Sequence, residues 1–295
     1  MNNKLLYQSE LLMDNYQPCV VENGLNTCYI DSLLIALFYK DLSYTNYILE
    51  TTPKKPEGFY LQELIKNKLI QPIQKNYSIN ANVINEIRNY SVICGWSSDG
   101  DITDQKDCSE FYIFLMELFN VSPLEFEILE FKNNTLTNNI QKLSYPFITL
   151  FPNKDDTIKN LIQYWINSKI YSPDENIIYC YKLTNIPQFI LLYINRFNND
   201  NRQQYKIDIM KRIKFFGIND QTQNFIKWKI HAIICHNGNN MKSGHYYCIT
   251  TTYDKKWILF DNMLIPSFQQ IDLENEDIKE KIMLESVILI YTIDE

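Results

Sequence analysis

Only three histidines, seven glycines and ten prolines occur in the 295 residues. So little Gly and Pro leaves scant material for flexible linkers and predicts one compact unit. The seven cysteines, at 19, 28, 94, 108, 180, 235 and 248, include no Cys-x-x-Cys pair. A zinc ribbon built from two such pairs is therefore excluded. An odd cysteine count with no tight pairing pattern reads as buried thiols in a reducing compartment, not as a disulfide scaffold. The longest apolar stretches, such as Phe189 to Ile194, fall far short of the ~20 residues that span a bilayer. The start, MNNKLLYQSELLMDNY, is too polar for the core of a signal peptide. No basic cluster outweighs a net charge of −7 from 28 basic and 35 acidic residues, which argues against nucleic-acid binding. Repeats at solenoid periods and low-complexity tracts are lacking as well. These absences predict a soluble intracellular protein, cytoplasmic or nuclear, with no metal, cofactor, membrane or nucleic-acid partner, acting as a monomer.

What is present supports a substantial core, with 45% hydrophobic and 21% charged residues. Ile30, Leu33, Leu34, Leu37 and Phe38 follow the spacing of one helix face. Phe59 to Ile70, Val83 to Tyr90 and Glu110 to Phe119 also read as helices, with a loop over Gly95 to Asp107. The second half changes character. Phe126 to Phe131, Phe147 to Phe151, Ile177 to Tyr181, Phe189 to Ile194, Trp228 to Cys235, Tyr246 to Tyr253, Lys256 to Asp261 and Val287 to Tyr291 read as strands. Ile158 to Ile166 interrupts them as a helix. Helices followed by a largely antiparallel half indicate an α+β protein, with its cleft where the halves meet.

Within that frame Cys28 stands at the start of the first helix, where the helix N-terminus lowers a thiol's pKa. A nucleophilic thiolate needs a base, and all three histidines (231, 236, 245) lie far away in sequence. His245 opens the strand-like HYYCITTTY. A hairpin through Asp254–Lys255–Lys256 would return Asp261 beside it, where a carboxylate can fix the imidazole tautomer. Read alone, a Cys before a helix is usually a small buried apolar residue, so these three residues do not settle the chemistry by themselves.

Five blocks in order carry more. Asn23-Gly-Leu-Asn-Thr-Cys28-Tyr-Ile-Asp-Ser32 resembles the Cys box of the ubiquitin-specific protease family, and Ser243-Gly-His245-Tyr with Trp257…Phe260-Asp261-Asn262 resembles its His box. Gln105 to Phe111, Leu183 to Phe197 and Glu285 to Tyr291 are similar to connecting blocks of that family. The likeness implies a papain-like fold in a single catalytic domain spanning 1–295. It divides into a helical thumb to about 125, reduced fingers over about 126–182 and an antiparallel-sheet palm over about 183–295. It implies Cys28 as nucleophile, His245 as general base and acid, Asp261 as its orienting group and Asn23 as oxyanion donor. Asp107, Glu110 and Gln105 match positions that hold a modifier's basic tail, Tyr246 matches a wall of the channel for its Gly-Gly end, and His236 matches a cleft histidine. Without the likeness, the two acids read as the solvated start of a helix.

Two positions depart from the family. Leu25 stands where Gly is usual three residues before the nucleophile, and Asp31 replaces a usual Asn. Asn262 occupies a position that often holds a second Asp. The expected activity is thiol-dependent release of ubiquitin at its C-terminal Gly. Two alternatives stay open: a protease for another ubiquitin-like modifier, and a weakly active ubiquitin-binding module.

Overall fold

A computed structural model of the chain describes residues 19–39, 43–96, 101, 103–133, 135–167, 177–198, 201–219, 222–240, 243–252 and 254–294. Residues 97–100 and 102 of the predicted loop, and Tyr253 at the end of a predicted strand, lie outside that set. The first part is helical: α1 (Cys28–Phe38), α2 (Ser43–Leu49), α3 (Glu57–Leu64), a π-helical segment (Ile65–Ile70), α4 (Gln71–Gln74), α5 (Ala81–Ile93) and α6 (Cys108–Leu118). There follow β1 (Leu124–Lys132), β2 (Thr135–Tyr145), β3 (Ile148–Leu150), β4 (Asp156–Thr157), α7 (Ile158–Asn167), β5 (Ile177–Leu183) and β6 (Phe189–Ile194). The chain continues through β7 (Phe197–Asn198), β8 (Asn201–Arg202), β9 (Ile207–Asp208), β10 (Arg212–Asn219) and β11 (Thr222–Asn240). It ends with β12 (Ser243–Thr251), β13 (Trp257–Phe260), β14 (Phe268–Ile271), α8 (Glu276–Glu285) and β15 (Ser286–Ile293).

The main sheet runs β14-β13-β12-β11-β10-β5-β1-β2, with β15 bridging β11 and β6. Its central strands are apolar on both faces. Tyr246 and Cys248 of β12, and Ala232 and Ile234 of β11, join a core with α1, α5 and α6. Their neighbours Tyr247, Ile249, Ile233 and Cys235 join a second core with Leu192, Tyr291 and α7. A strand buried on both sides reads as a continuous apolar run, which is why FILLYI and SVILIY declare themselves in the sequence.

Helix α1 departs from expectation. The spacing predicts one buried face, yet all of its residues are buried, including Asp31 and Ser32. It is sandwiched between α5 and α6 on one side and β11 and β12 on the other. The predicted single helix over Phe59 to Ile70 is α3 followed by the π-helical segment. Three elements escape the apolar pattern. β2 (TLTNNIQKLSY) is an edge strand, so its sequence carries no buried alternation. β10 pairs with the start of β11, and its Ile213 and Phe215 are buried in the second core, although Arg212, Lys214 and Gly217 break the apolar run. α8 buries only Ile282 and is set by its cap, Asn275, whose side chain accepts from the N–H groups of Asp277 and Ile278. Among the described residues, no helix is long and apolar enough to cross a membrane.

Candidate active site

His245 lies near the start of β12, paired with Asn237 of β11. β12 and β13 run antiparallel with Cys248 opposite Phe260. That register carries the chain past Phe260 and sets Asp261 Oδ1 2.7 Å from His245 Nε2. The N–H of Met263 donates to the same oxygen at 2.9 Å and fixes the carboxylate. On its other side the His245 ring faces the Cys28 thiol, at the first position of α1, which acts on its pKa. Burial pushes the imidazole pKa down, but the hydrogen bond with Asp261, the Cys28 thiol and the charges of both outweigh it and hold His245 up at about 9. Asp261 shows the converse: burial opposes its ionisation, and the bond with His245 with that from Met263 still keeps it below the usual carboxylate range. The arrangement is a thiol beside a charge-stabilised imidazole, the form a cysteine nucleophile requires.

The loop before Cys28 is unusual. Leu25 (φ 69°) and Asn26 (φ 55°) are both left-handed, a conformation that costs an L-residue ~1–2 kcal/mol. Side chains from elsewhere hold it. Arg88, buried on α5, donates to the carbonyls of Leu25 at 2.7 Å and Gly24 at 3.4 Å. Asn26 Nδ2 donates to the carbonyl of Thr103 at 3.0 Å. Gly24 packs so tightly that a Cβ there would meet Asn85 Oδ1 at 2.8 Å. Asn23 Nδ2 donates to Asn262 Oδ1 at 3.4 Å, and Asn262 Nδ2 in turn donates to Asp31 Oδ2. So Asp31 does not stand free at the helix start; it is buried and bonded to Asn262 and to Thr27.

The other sequence-marked residues fall into two groups. Gln105 Oε1 accepts from the N–H of Gly244 at 2.9 Å, tying the 103–107 loop to the residue before His245. Asp107 caps α6, accepting from the N–H groups of Ser109 and Glu110. Glu110 is exposed on the next turn, its pKa raised first by partial desolvation and then by the charge of Asp107. These three approach the site from the helical first half of the chain. His236 and Tyr246 instead lie beneath it, 0% and 4% exposed, their rings 4.5 Å apart. Of the two places the likeness leaves for His236, structural and substrate-facing, this burial suits the structural one. Burial, then the Arg202 and His245 charges, hold its pKa down at about 4, so the ring is neutral and packs against Gly244, where a Cβ would clash with Nε2 at 2.3 Å. His231 is buried beside Thr251, away from the three reacting groups.

Arg88 and Asn262 are the residues that sequence reading passed over or doubted. A signal for Arg88 existed: Ile84, Ile87, Arg88 and Ser91 form the buried stripe of α5, and a charge on an apolar stripe needs partners. Among the described residues, no group of three or more His, Cys, Asp or Glu could hold a metal ion.

Comparison with known proteins agrees with this geometry. The family model described as ubiquitin carboxyl-terminal hydrolase matches residues 19–291. Ubiquitin carboxyl-terminal hydrolase 9 of Saccharomyces cerevisiae is 24% identical over 93 residues, 30% of this chain and 12% of that protein. The probable ubiquitin carboxyl-terminal hydrolase creB of Aspergillus clavatus is 25% identical over 91 residues, 28% of this chain and 12% of that protein. The chain thus spans 12% of the length of the curated relatives it matches. Two solved structures share the fold. The SAGA Ubp8/Sgf11/Sus1/Sgf73 DUB module bound to ubiquitin aldehyde has a TM-score of 0.65 at 14% identity, covering 95% of this chain and 70% of that one. The SAGA DUB module with a substituted Ubp8, bound to monoubiquitin, gives 0.66 at 13%, covering 99% and 72%. With its helical and sheet-rich halves closing on Cys28, His245 and Asp261, and with a family match running from residue 19 to residue 291, the chain belongs to the ubiquitin carboxyl-terminal hydrolase family.

Proposed function

We propose that this chain is a thiol-dependent hydrolase that releases ubiquitin from conjugates or polyubiquitin at its C-terminal Gly. The observation that carries the reading is the His245 ring held between Asp261, at 2.7 Å, and Cys28 at a helix N-terminus. The Cys28 thiolate attacks the carbonyl carbon of the terminal Gly. The oxyanion is held by Asn23 Nδ2 and by backbone N–H groups at the start of α1. A preorganised donor of this kind is worth ~3–4 kcal/mol of barrier. Collapse breaks the C–N bond as His245 gives its proton to the leaving amine. Water, deprotonated by His245, then hydrolyses the thioester and regenerates the thiol.

Asp107 and Glu110 would pair with the basic tail of the modifier, with Gln105 and Tyr246 beside its Gly-Gly end. In this reading the thumb covers residues to about 125, reduced fingers about 126–182 and the palm about 183–295. The globular part of the modifier would rest on palm and fingers. The chain would act as a monomer in the cytoplasm or nucleus, with neither nucleic acid nor cofactor in the reaction.

A fluorogenic ubiquitin substrate and a panel of di-ubiquitins test the reading directly. The wild-type chain is expected to cleave them, and Cys28→Ala is expected to bind ubiquitin and cleave nothing. Cleavage by the Cys28→Ala protein would overturn the assignment. Labelling of Cys28 by a probe built on another modifier, with none by the ubiquitin probe, would move the substrate to that modifier.

A further inference from the structure

A primary amide has nearly the same shape after a 180° flip, so only its partners decide which end it presents. Asn23 can serve an oxyanion only by its N–H end; its carbonyl oxygen in the same place would repel the developing charge. We propose that the buried carboxylate of Asp31 is a positioning residue that sets the direction of two hydrogen-bond relays, so that Asn23 presents an N–H to the oxyanion. The proposal rests on the hydrolase reading above.

The first relay runs through Asn262. Above a pH of about 7 Asp31 is ionised, and an ionised carboxylate only accepts hydrogen bonds. Asn262 must therefore turn its Nδ2 toward Asp31 Oδ2. Its Oδ1 then faces Asn23 and accepts from Asn23 Nδ2 at 3.4 Å. That bond uses one hydrogen of the Asn23 amide; the second reaches only Met263 Sδ, at 3.9 Å, a weak acceptor that a substrate oxyanion would displace. The second relay runs through Thr27. Its hydroxyl donates to the same Asp31 oxygen at 3.2 Å, which turns its lone pairs to the N–H of Gly24 at 2.9 Å. Both relays start on one carboxylate oxygen and end on consecutive residues of the loop.

Asp31 is a costly way to hold a loop. It is 1% exposed, and among the described residues its Oδ1 has no hydrogen-bond partner. A buried ion with incomplete partners destabilises a fold, so stability does not explain it, whereas a fixed direction does. Asp31 and Asn262 bond to each other, carboxylate to amide, across a single contact.

Exchanging them is the test. Asp31→Asn keeps the shape but can donate or accept, so the relay direction is no longer forced. Its kcat is expected to fall about ten-fold, within the loss typical of a weakened oxyanion donor, with KM unchanged and a higher urea midpoint. Asn262→Asp sets two carboxylates face to face, and both kcat and midpoint are expected to drop further. In the Asp31→Asn/Asn262→Asp double variant, the carboxylate at 262 accepts from both amides, and kcat is expected within about three-fold of wild type. Wild-type kcat in Asp31→Asn, or a double variant no better than Asn262→Asp, would overturn the proposal. Should the wild-type chain turn over no ubiquitin substrate, the hydrolase reading fails separately. The urea midpoints of the same four proteins then decide the relay: shifts that simply add overturn it, and recovery in the double variant supports it.

Discussion

His245 and Asp261 are joined by neighbouring antiparallel strands, and the backbone ladder of β12 and β13 does most of the positioning. Asn23 to Cys28 are placed by different means. That loop carries two left-handed residues and is pinned by side chains from remote parts of the chain: Arg88, Asn262 and the carbonyl of Thr103. A ladder spreads its hold over many bonds, so no single side chain decides it. A clamped loop concentrates its hold in a few contacts, and losing one can misplace the oxyanion donor while the fold survives. The base side of the site is thus expected to respond to substitution through chemistry alone, and the nucleophile side through geometry.

The largest effect should come from the base side. In Asp261→Asn the strands and Met263 stay in place, but the carboxylate that stabilises the imidazolium is gone. We expect kcat on a fluorogenic ubiquitin substrate to fall by ~10³–10⁴-fold, the size seen when an orienting carboxylate becomes an amide, with little change in unfolding midpoint. The pH profile adds a second reading. His245 sits at about 9 because Asp261 and Cys28 outweigh its burial. The imidazolium form of His245 in the wild type should therefore persist until pH rises through about 9. Removing the Asp261 charge lowers that value, so the alkaline limb of kcat/KM should move to lower pH. An alkaline limb that stays in place would show that Asp261 does not govern the imidazole.

Arg88→Met breaks the clamp on the other side. The methionine fills similar volume but leaves the carbonyls of Leu25 and Gly24, and Asn85 Oδ1, without the donors they now have. Charge-assisted hydrogen bonds contribute ~1.5–3 kcal/mol each, so an unfolding free energy lower by about 3 kcal/mol is expected in urea titration. At a temperature where the variant is still folded, kcat should drop at least about ten-fold through the displaced oxyanion donor, while ubiquitin affinity holds. Lost stability with unchanged kcat would make Arg88 a core residue and erase the contrast between the two sides.

The same contrast explains what the sequence made legible. His245 and Asp261 are 16 residues apart, and one hairpin joins them, so strand pattern and turn residues sufficed. The helix on Cys28 was legible from its apolar spacing, although burial on every side was not, because Asp31 and Ser32 look like a polar face. Arg88 and Asn262 were hidden for a different reason. Their roles depend on contacts 63 and 239 residues away in sequence, and no local pattern reports on such distances. Asp107 shows the limit from the opposite direction. Its capping of α6 follows from local chemistry, while its pairing with a modifier tail rests on family likeness alone.

Asp31→Asn sharpens the comparison at a smaller scale, by stability and not rate. Burial pushes the Asp31 carboxyl up to about 7, against the hydrogen bonds from Asn262 and Thr27 and the charges of His245 and Arg88; Tyr29 is the other titratable group facing it. A carboxyl with a raised folded-state pKa contributes stability that is whole below its unfolded value, ~3.9, and is lost as pH climbs through about 7. The isosteric amide carries no such loss. The advantage of Asp31→Asn over wild type in unfolding free energy should therefore grow by roughly 2–3 kcal/mol between pH 5 and pH 8. A pH-independent difference would mean that the carboxylate is not held in a low-dielectric site.

The smallest effect is expected at Leu25, and its sign is informative. The side chain is 64% exposed, so truncation removes little burial. Its φ of 69° costs a leucine ~1–2 kcal/mol that glycine does not pay. Glycine also gains freedom in the unfolded chain, which returns ~0.4–1 kcal/mol of that difference. Leu25→Gly should then be more stable than wild type by less than about 1 kcal/mol, with kcat within about two-fold, since Arg88 grips the carbonyl and not the side chain. If the variant is instead destabilised and slow, the stiffness of a side-chain-bearing residue at 25 is what holds the strained loop in shape. The departure from the family's glycine would then be a second way, beside Arg88, of holding the nucleophile's loop where no backbone ladder reaches.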